Sequence, residues 1–105
     1  MLHEEKVSRV FVSGLLGRDK EEYASSIDSE GNRFLDKLQK SVPVEFLSMH
    51  IKKEGIEYSV RARLAAGRKL HFASTRAWGL PEAVNGVIAE LKKMMEKEKG
   101  MKREW

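Results

Sequence analysis

The chain has 105 residues, no cysteine, 34% charged residues and a formal net charge of +4. This length predicts one domain over residues 1–105, and the missing cysteines exclude disulfides and thiolate metal sites. No apolar run approaches the ~20 residues of a membrane helix, and residues 1–6 are too polar for a signal peptide, so we expect a cytoplasmic protein without a membrane partner.

The charges are unevenly distributed along the chain. Residues 52–76 hold 7 Lys/Arg and 2 Asp/Glu, a net charge of +5, whereas residues 1–51 hold 7 and 9 and residues 77–105 hold 6 and 5. A local basic excess favours binding to a polyanion through release of counterions. An ordinary solubilising surface is the alternative interpretation.

The first half of the chain predicts a strand and a long helix. Lys6–Val12 is rich in β-branched residues and is followed by glycine, which is typical of a strand. Apolar residues then keep helical spacing over Glu21–Lys40, with Gly31 at one position of the apolar stripe. Either the helix runs through with close packing at Gly31, which we favour, or it begins near Ser29. Pro43 marks its end.

Three alternating segments follow and predict an antiparallel sheet: Val44–Lys53, Glu57–Leu64 and Lys69–Ser74. In the last segment, the alternation predicts that Leu70 and Phe72 face the core and that Lys69 and His71 face outward. Turns are expected at Gly55 and at residues 66–68.

The last element is a helix over Pro81–Lys99, because proline suits a first helical turn and Gly100 a helix end. An apolar stripe with i, i+3, i+4 and i+7 spacing places one helix face against the core: Val84, Val87, Ile88, Leu91 and Met95. The order β-α-β-β-β-α predicts an α+β fold, a two-layer sandwich with two helices on one face of a four-stranded sheet. We expect an ordered core over residues 6–100 and a frayed C-terminal tail.

Several segments, together with this element order, resemble the ribosome hibernation-promoting factor / ribosome-associated inhibitor A family. They are the hairpin around Gly67-Arg68-Lys69-Leu70-His71, the Lys37-Leu38 pair, and the helix positions Ala83, Val84, Asn85, Val87, Ile88 and Leu91. The resemblance covers about residues 6–100. It implies binding to the small ribosomal subunit near the decoding centre, where messenger and transfer RNA sit, and silencing of idle ribosomes.

Two groups of basic residues are candidate RNA contacts. On the helices, Lys93 and Lys97 share the face opposite the stripe, with Lys92 beside them, and the first helix adds Arg33, Lys37 and Lys40 if the helices lie side by side. A solvated helix face with Glu–Lys pairs is the alternative. The second group is predicted on the hairpin strands: Arg61, Arg63, Arg68 and Lys69. An ordinary polar sheet face or a dimer interface are its alternatives.

No spacing of His, Asp or Glu fits a metal site, and the serines lack a recognisable catalytic base. Trp78 is interpreted as filling the core. We therefore predict a non-catalytic protein without cofactors, monomeric or weakly dimeric, that binds small-subunit rRNA and blocks translation by occupancy. The alternatives are a protein-interaction domain that self-associates through its open sheet face, and a module like those that bind double-stranded RNA.

Overall fold

A computed structural model describes residues 9–99, with side chains as far as Lys97. The elements are β1 (Val10–Ser13), α1 (Gly17–Leu38), β2 (Val44–Glu54), β3 (Glu57–Ala66), β4 (Lys69–Ala77) and α2 (Leu80–Lys99). This order confirms the predicted β-α-β-β-β-α arrangement. The expected strand start at Lys6, the helix end at Gly100 and the frayed tail lie outside the described residues, and the single domain over 1–105 stays a prediction.

The four strands form one sheet in the order β1-β2-β3-β4. β1 pairs with β2 in parallel because α1 returns the chain to the same end of the sheet, whereas β2, β3 and β4 pair antiparallel. Both helices cover the same sheet face. The predicted two-layer α+β fold is therefore confirmed, and the other face of the sheet is left open.

The core lies between the helices and the sheet. All five residues of the predicted stripe of α2 are buried, from Val84 to Met95, and α1 contributes Ile27, Phe34, Leu35 and Leu38. The sheet contributes inward-facing residues of β2 and β3, namely Leu47, Met49, Ile51, Val60, Ala62 and Leu64. The burial of these apolar side chains is the main contribution to the free energy of folding.

Helix α1 is one continuous helix, so its proposed late start near Ser29 is wrong. It begins at Gly17, four residues before the predicted Glu21, and ends two residues before Lys40. Gly31 lies against β1, where a Cβ atom would stand 2.9 Å from Val10 Cγ1. The close packing predicted at this glycine is confirmed, and it explains why a residue with poor helix propensity lies in the middle of a helix.

We expect Gly31→Ala to lower the free energy of unfolding by about 1–2 kcal/mol, because the collision with Val10 outweighs the ~1 kcal/mol gain in helix propensity. Val10→Ala removes that collision, so in this background Gly31→Ala should be neutral or stabilising. Urea unfolding of the four proteins of this double-mutant cycle measures the coupling. An equal loss in both backgrounds would contradict the packing account.

The β3–β4 turn corrects one sequence prediction. Only Gly67 and Arg68 separate the paired residues Ala66 and Lys69, and both turn residues have positive φ, 63° and 66°. This is the geometry of a two-residue type I′ hairpin, which sets the register of both strands. His71 therefore pairs with Leu64, faces the core and is buried.

Leu70 and Phe72 consequently lie on the open sheet face, and the prediction that they point inward is wrong. They are 51% and 59% exposed. The buried imidazole of His71 is compatible with this register, because its Nε2 lies 3.2 Å from the Ala66 carbonyl oxygen, within hydrogen-bond distance. The apolar character of Leu70 and Phe72 thus misled the prediction, whereas the turn length determined the register.

A tyrosine connects the far end of the sheet to the first turn of α1. The Tyr58 hydroxyl donates a hydrogen bond of 2.8 Å to Asp19 Oδ2, and this bond is the main cause that raises the pKa of Tyr58 above its ordinary value of 10.0. The stabilisation from this group is fully present below pH 10, and it is lost as the pH rises through the raised pKa.

We expect Tyr58→Phe to lower the free energy of unfolding by about 0.5–1 kcal/mol at neutral pH, since the contact is partly exposed. The difference between the two proteins should stay constant up to about pH 10 and shrink above it, because the native tyrosine then ionises beside a carboxylate. Denaturant unfolding at several pH values measures this difference. A difference in the free energy of unfolding that is the same at pH 7 and well above pH 10 would contradict this prediction.

Candidate nucleic-acid interface

The two helices run in the same direction, antiparallel to β1 and β4. Asp36, near the C-terminal end of α1, forms an ion pair of 3.1 Å with Arg9 at the start of β1. The carbonyl of Ala83, in the first turn of α2, accepts a hydrogen bond from Thr75 near the end of β4. Met94, near the end of α2, lines a cavity with Phe72, which lies nearer the start of β4. The C-terminal halves of both helices therefore lie at the same end of the molecule.

The β3–β4 turn lies at that end as well. The Gly67 amide donates a hydrogen bond of 2.8 Å to the carbonyl of Pro43, in the connection that follows α1. Eight of the ten predicted RNA-binding residues are thereby brought to one end, which we call the basic end: Arg33, Lys37, Lys40, Arg68, Lys69, Lys92, Lys93 and Lys97. The sequence predicted two separate groups, one on the helices and one on the hairpin, and the fold brings them together.

The opposite end is nearly neutral. The starts of the two helices and the strand ends beside the β2–β3 turn carry six acidic residues: Asp19, Glu21, Glu22, Glu54, Glu57 and Glu82. Five basic residues lie there as well: Arg18, Lys20, Lys52, Lys53 and Arg76. At the basic end, Asp36 is paired with Arg9, and Glu30 lies 3.8 Å from Arg33. Glu45 and Glu96 are two further carboxylates at this end. Basic residues therefore outnumber acidic ones at the basic end, and this local surface can attract a polyanion.

Two of the basic side chains are well placed to meet a partner. Lys37 and Lys93 are exposed, and neither forms an ion pair within residues 9–97. Arg68 is also exposed, in a left-handed backbone conformation with φ 66° that costs an L-residue other than glycine about 1 kcal/mol or more. Strained backbone conformations of this kind cluster at functional sites.

Arg61 and Arg63 lie elsewhere, on the open sheet face. They do not share that face with Lys69 and His71 as predicted, because the register places those two residues on the helix-covered side. Arg63 instead pairs with Phe72, and its guanidinium carbon lies 6.0 Å from the ring centroid of Phe46. Neither Arg61 nor Arg63 forms an ion pair with a carboxylate of the described residues.

The open face also carries aromatic residues that sequence reasoning missed as site residues. Phe11 is 56% exposed and packs edge-on against Phe46, with ring centroids 6.4 Å apart. The two-residue turn at Gly67-Arg68 was the signal that could have placed Phe72 with them. Trp78 is also 73% exposed, in the connection between β4 and α2, so its interpretation as a core residue is wrong.

The fold resembles two solved structures. The ribosomal subunit interface protein of Coxiella burnetii matches with a TM-score of 0.68 and 12% identity over 88% of this chain and 98% of that one. The N-terminal domain of Protein Y from Thermus thermophilus matches with a TM-score of 0.66 and 9% identity over 86% and 96%. This chain has the fold of these two proteins. No family model and no curated protein matches the sequence.

The likeness spans nearly the whole length of both proteins and confirms the fold that the family resemblance implied. Identities of 12% and 9% show the fold alone.

Other chemistry has weaker support. Ser13 has a possible base within reach, contrary to the sequence prediction, because its Oγ lies 2.9 Å from His50 Nδ1 on the open sheet face. Among residues 9–97, His, Asp and Glu side chains form no cluster of three that could hold a metal ion. In the same part of the chain, neither helix is long and apolar enough to cross a membrane.

Proposed function

We propose that this protein is a non-catalytic RNA-binding protein that occupies the small ribosomal subunit and blocks translation. The observation that carries this proposal is the gathering of eight predicted basic residues at one end of the fold. The name of one matching structure adds support, since it is a ribosomal subunit interface protein. The proposed partner is small-subunit rRNA, and the proposed location is the cytoplasm.

The basic end suits an RNA backbone for electrostatic reasons. Lysine and arginine side chains release condensed counterions when they neutralise phosphates, and this term provides most of the affinity of sequence-independent binding. Base edges in folded RNA helices are hard to reach, so recognition there relies on shape and phosphate contacts. Cations on three separate elements, α1, α2 and the β3–β4 turn, give contacts in fixed relative positions.

The proposed mechanism is steric and requires no reaction. A rigid two-layer domain held on the subunit by phosphate contacts would exclude any RNA that needs the same space. Occupancy then depends on affinity and protein concentration. Inhibition in a cell-free translation system should therefore reach its limit when the protein is in stoichiometric excess over ribosomes.

A salt titration with purified small subunits tests the proposal. Each phosphate contact contributes about −0.7 to −0.9 to the slope of log K against log salt. Contacts with at least four phosphates predict a slope of about −3 or steeper, measured by co-sedimentation of the protein with subunits. Affinity that does not change with salt would contradict phosphate binding, and absence of binding at low salt would contradict the proposal.

A further inference from the structure

The open sheet face combines exposed rings with positive charge. Phe11, Ser48, Arg63 and Phe72 form one row across the four strands, because each pairs with the next in the sheet register. The neighbouring row toward the basic end contains Phe46, Ala65 and Leu70. We call the large solvent-accessible residues of these rows, together with Arg61, the sheet platform: Phe11, Phe46, Arg61, Arg63, Leu70 and Phe72. Phe46 is half-buried, and the other five are exposed.

The charge of the platform is positive, and neither of its arginines forms an ion pair within the described residues. Two carboxylates flank it: Glu45 lines a cavity with Phe46 and Arg63, and Glu90 lines another with Arg61 and Phe72. Arg61 pairs with His50 across one strand and with Ser74 across the other. The carboxylate of Glu54, towards the far end of the same face, is already engaged by Lys52 and Arg76, and Arg76 also lies 3.9 Å from Glu57. The centre of the face therefore offers flat apolar rings beside two guanidinium groups.

We propose that the sheet platform binds unpaired bases of single-stranded RNA by stacking them on Phe46 and Phe72. This inference rests on RNA being the partner, as in the proposed function, but it assigns a different face and a different form of RNA. Bases stack on exposed aromatic side chains whatever their sequence, and arginine neutralises the neighbouring phosphates. The exposed ring of Phe72 and the half-buried ring of Phe46 lie beside the arginines, so one surface provides both interactions.

The spacing of the rings suits this role. Phe46 lies on β2 and Phe72 on β4, one row apart. Two strand spacings of about 4.8 Å and an offset of two residues of about 3.4 Å each place their backbones about 12 Å apart. Arg63 lies between them on β3 and reaches over the ring of Phe46. A phosphate that links two bases, one stacked on each ring, would therefore meet the guanidinium of Arg63.

The charge of the face argues against a second copy of the chain as its occupant. A two-fold dimer whose axis passes through the centre of this face would bring Arg61 and Arg63 close to the same residues of the other copy. Glu45 and Glu90 lie only beside the platform. Like charges would therefore be desolvated together at its centre, at a cost of several kcal/mol. Double-stranded RNA fits poorly as well, since its bases are stacked inside the helix and cannot cover the rings.

Replacing Phe72 tests the stacking directly. We expect Phe72→Leu, which keeps an apolar side chain without a ring, to weaken binding of fluorescein-labelled oligo-uridine RNA by roughly 5- to 100-fold. Trp78→Leu is the matched control, because it removes an even more exposed aromatic residue outside the platform, and it should leave the affinity unchanged. Fluorescence anisotropy measures both affinities, and thermal unfolding confirms that both variants fold.

A second variant reports contact with the base itself. In a Trp78→Phe, Trp105→Phe background, Phe72→Trp places the only tryptophan of the chain on the platform. Its emission should be quenched by oligo-uridine and should stay unchanged on addition of an RNA duplex. The inference is overturned if oligo-uridine leaves the emission unchanged, if Phe72→Leu binds it as tightly as the native protein, or if the native protein is a dimer that Phe72→Leu dissociates.

The same variants separate this inference from the proposed function. If Phe72→Leu has no effect on oligo-uridine binding while purified small subunits still bind the native protein, the platform assignment fails and the proposed function stands. If small subunits do not bind but oligo-uridine does, with loss in Phe72→Leu, the proposed function fails and the platform assignment stands.

Discussion

Reversing the charge of Lys37 and Lys93 together is expected to weaken binding to the small ribosomal subunit by about 100-fold or more. Both lysines are exposed at the basic end, one on each helix, and neither forms an ion pair with a described residue. A charge-assisted contact with a phosphate contributes about 1.5–3 kcal/mol, which is roughly 10-fold to 100-fold in affinity for each lysine. Loss of two contacts should also reduce the salt slope by about 2.

The matched control is Arg18→Glu with Lys20→Glu. These residues are also exposed on α1, but they lie in its first turn, at the end opposite the basic end. Because each substitution removes two units of positive charge, both double variants lower the formal net charge from +4 to 0. Co-sedimentation with purified subunits should show nearly native affinity for the control. Equal losses for the two pairs would mean that net charge, and not the basic end, determines binding.

Gly14→Ala is expected to have the largest effect on stability of the substitutions considered. Gly14 follows β1 with φ 93°, and a Cβ atom there would stand 1.9 Å from the Ile51 carbonyl oxygen of β2. That oxygen belongs to the backbone of a central strand, so it cannot move aside as a side chain can. We expect a loss of about 3 kcal/mol or more in the free energy of unfolding, since backbone strain and collision add.

Gly17→Ala distinguishes these two causes. Gly17 also has a positive φ, 53°, but a Cβ atom there would meet no heavy atom within 4 Å. Its replacement should therefore cost only the conformational term of about 1–2 kcal/mol. Urea unfolding of both variants measures the difference. If the two alanine variants were equally stable, the close approach of β1 to β2 at Gly14 would not matter for folding.

The fold could be predicted because its main determinants are local and periodic. The stripe from Val84 to Met95 has the period of a helix, and Leu47, Met49 and Ile51 have the period of a strand. The position of Gly31 in the stripe of α1 was ambiguous, and the favoured reading proved correct. These patterns fix which faces are buried, and the order of the elements then leaves few ways of packing two helices on four strands.

The register of β4 could not be predicted from its own residues. Its alternation fits either face, since Leu70 and Phe72 are apolar and His71 is easily buried when its ring nitrogen has a partner. The register is set by the two-residue turn, in which Gly67 and Arg68 have positive φ. A shift by one residue turns every side chain of a strand to the other face, so this single turn placed Phe72 on the open face.

The candidate site could be predicted in part. The basic residues were recognisable one by one, but their gathering at one end depends on the direction of both helices and on the contact between Gly67 and Pro43. These are tertiary features that spacing does not encode. The aromatic part of the open face was missed for the same reason as the register of β4.

Sedimentation of a cell extract on a density gradient, with immunodetection of this protein, tests the central claim most directly. The account predicts that the protein migrates with small ribosomal subunits at low salt, that it moves to the top of the gradient as salt rises, and that the Lys37→Glu, Lys93→Glu variant stays at the top throughout. A native protein found only at the top of the gradient at low salt would contradict the account.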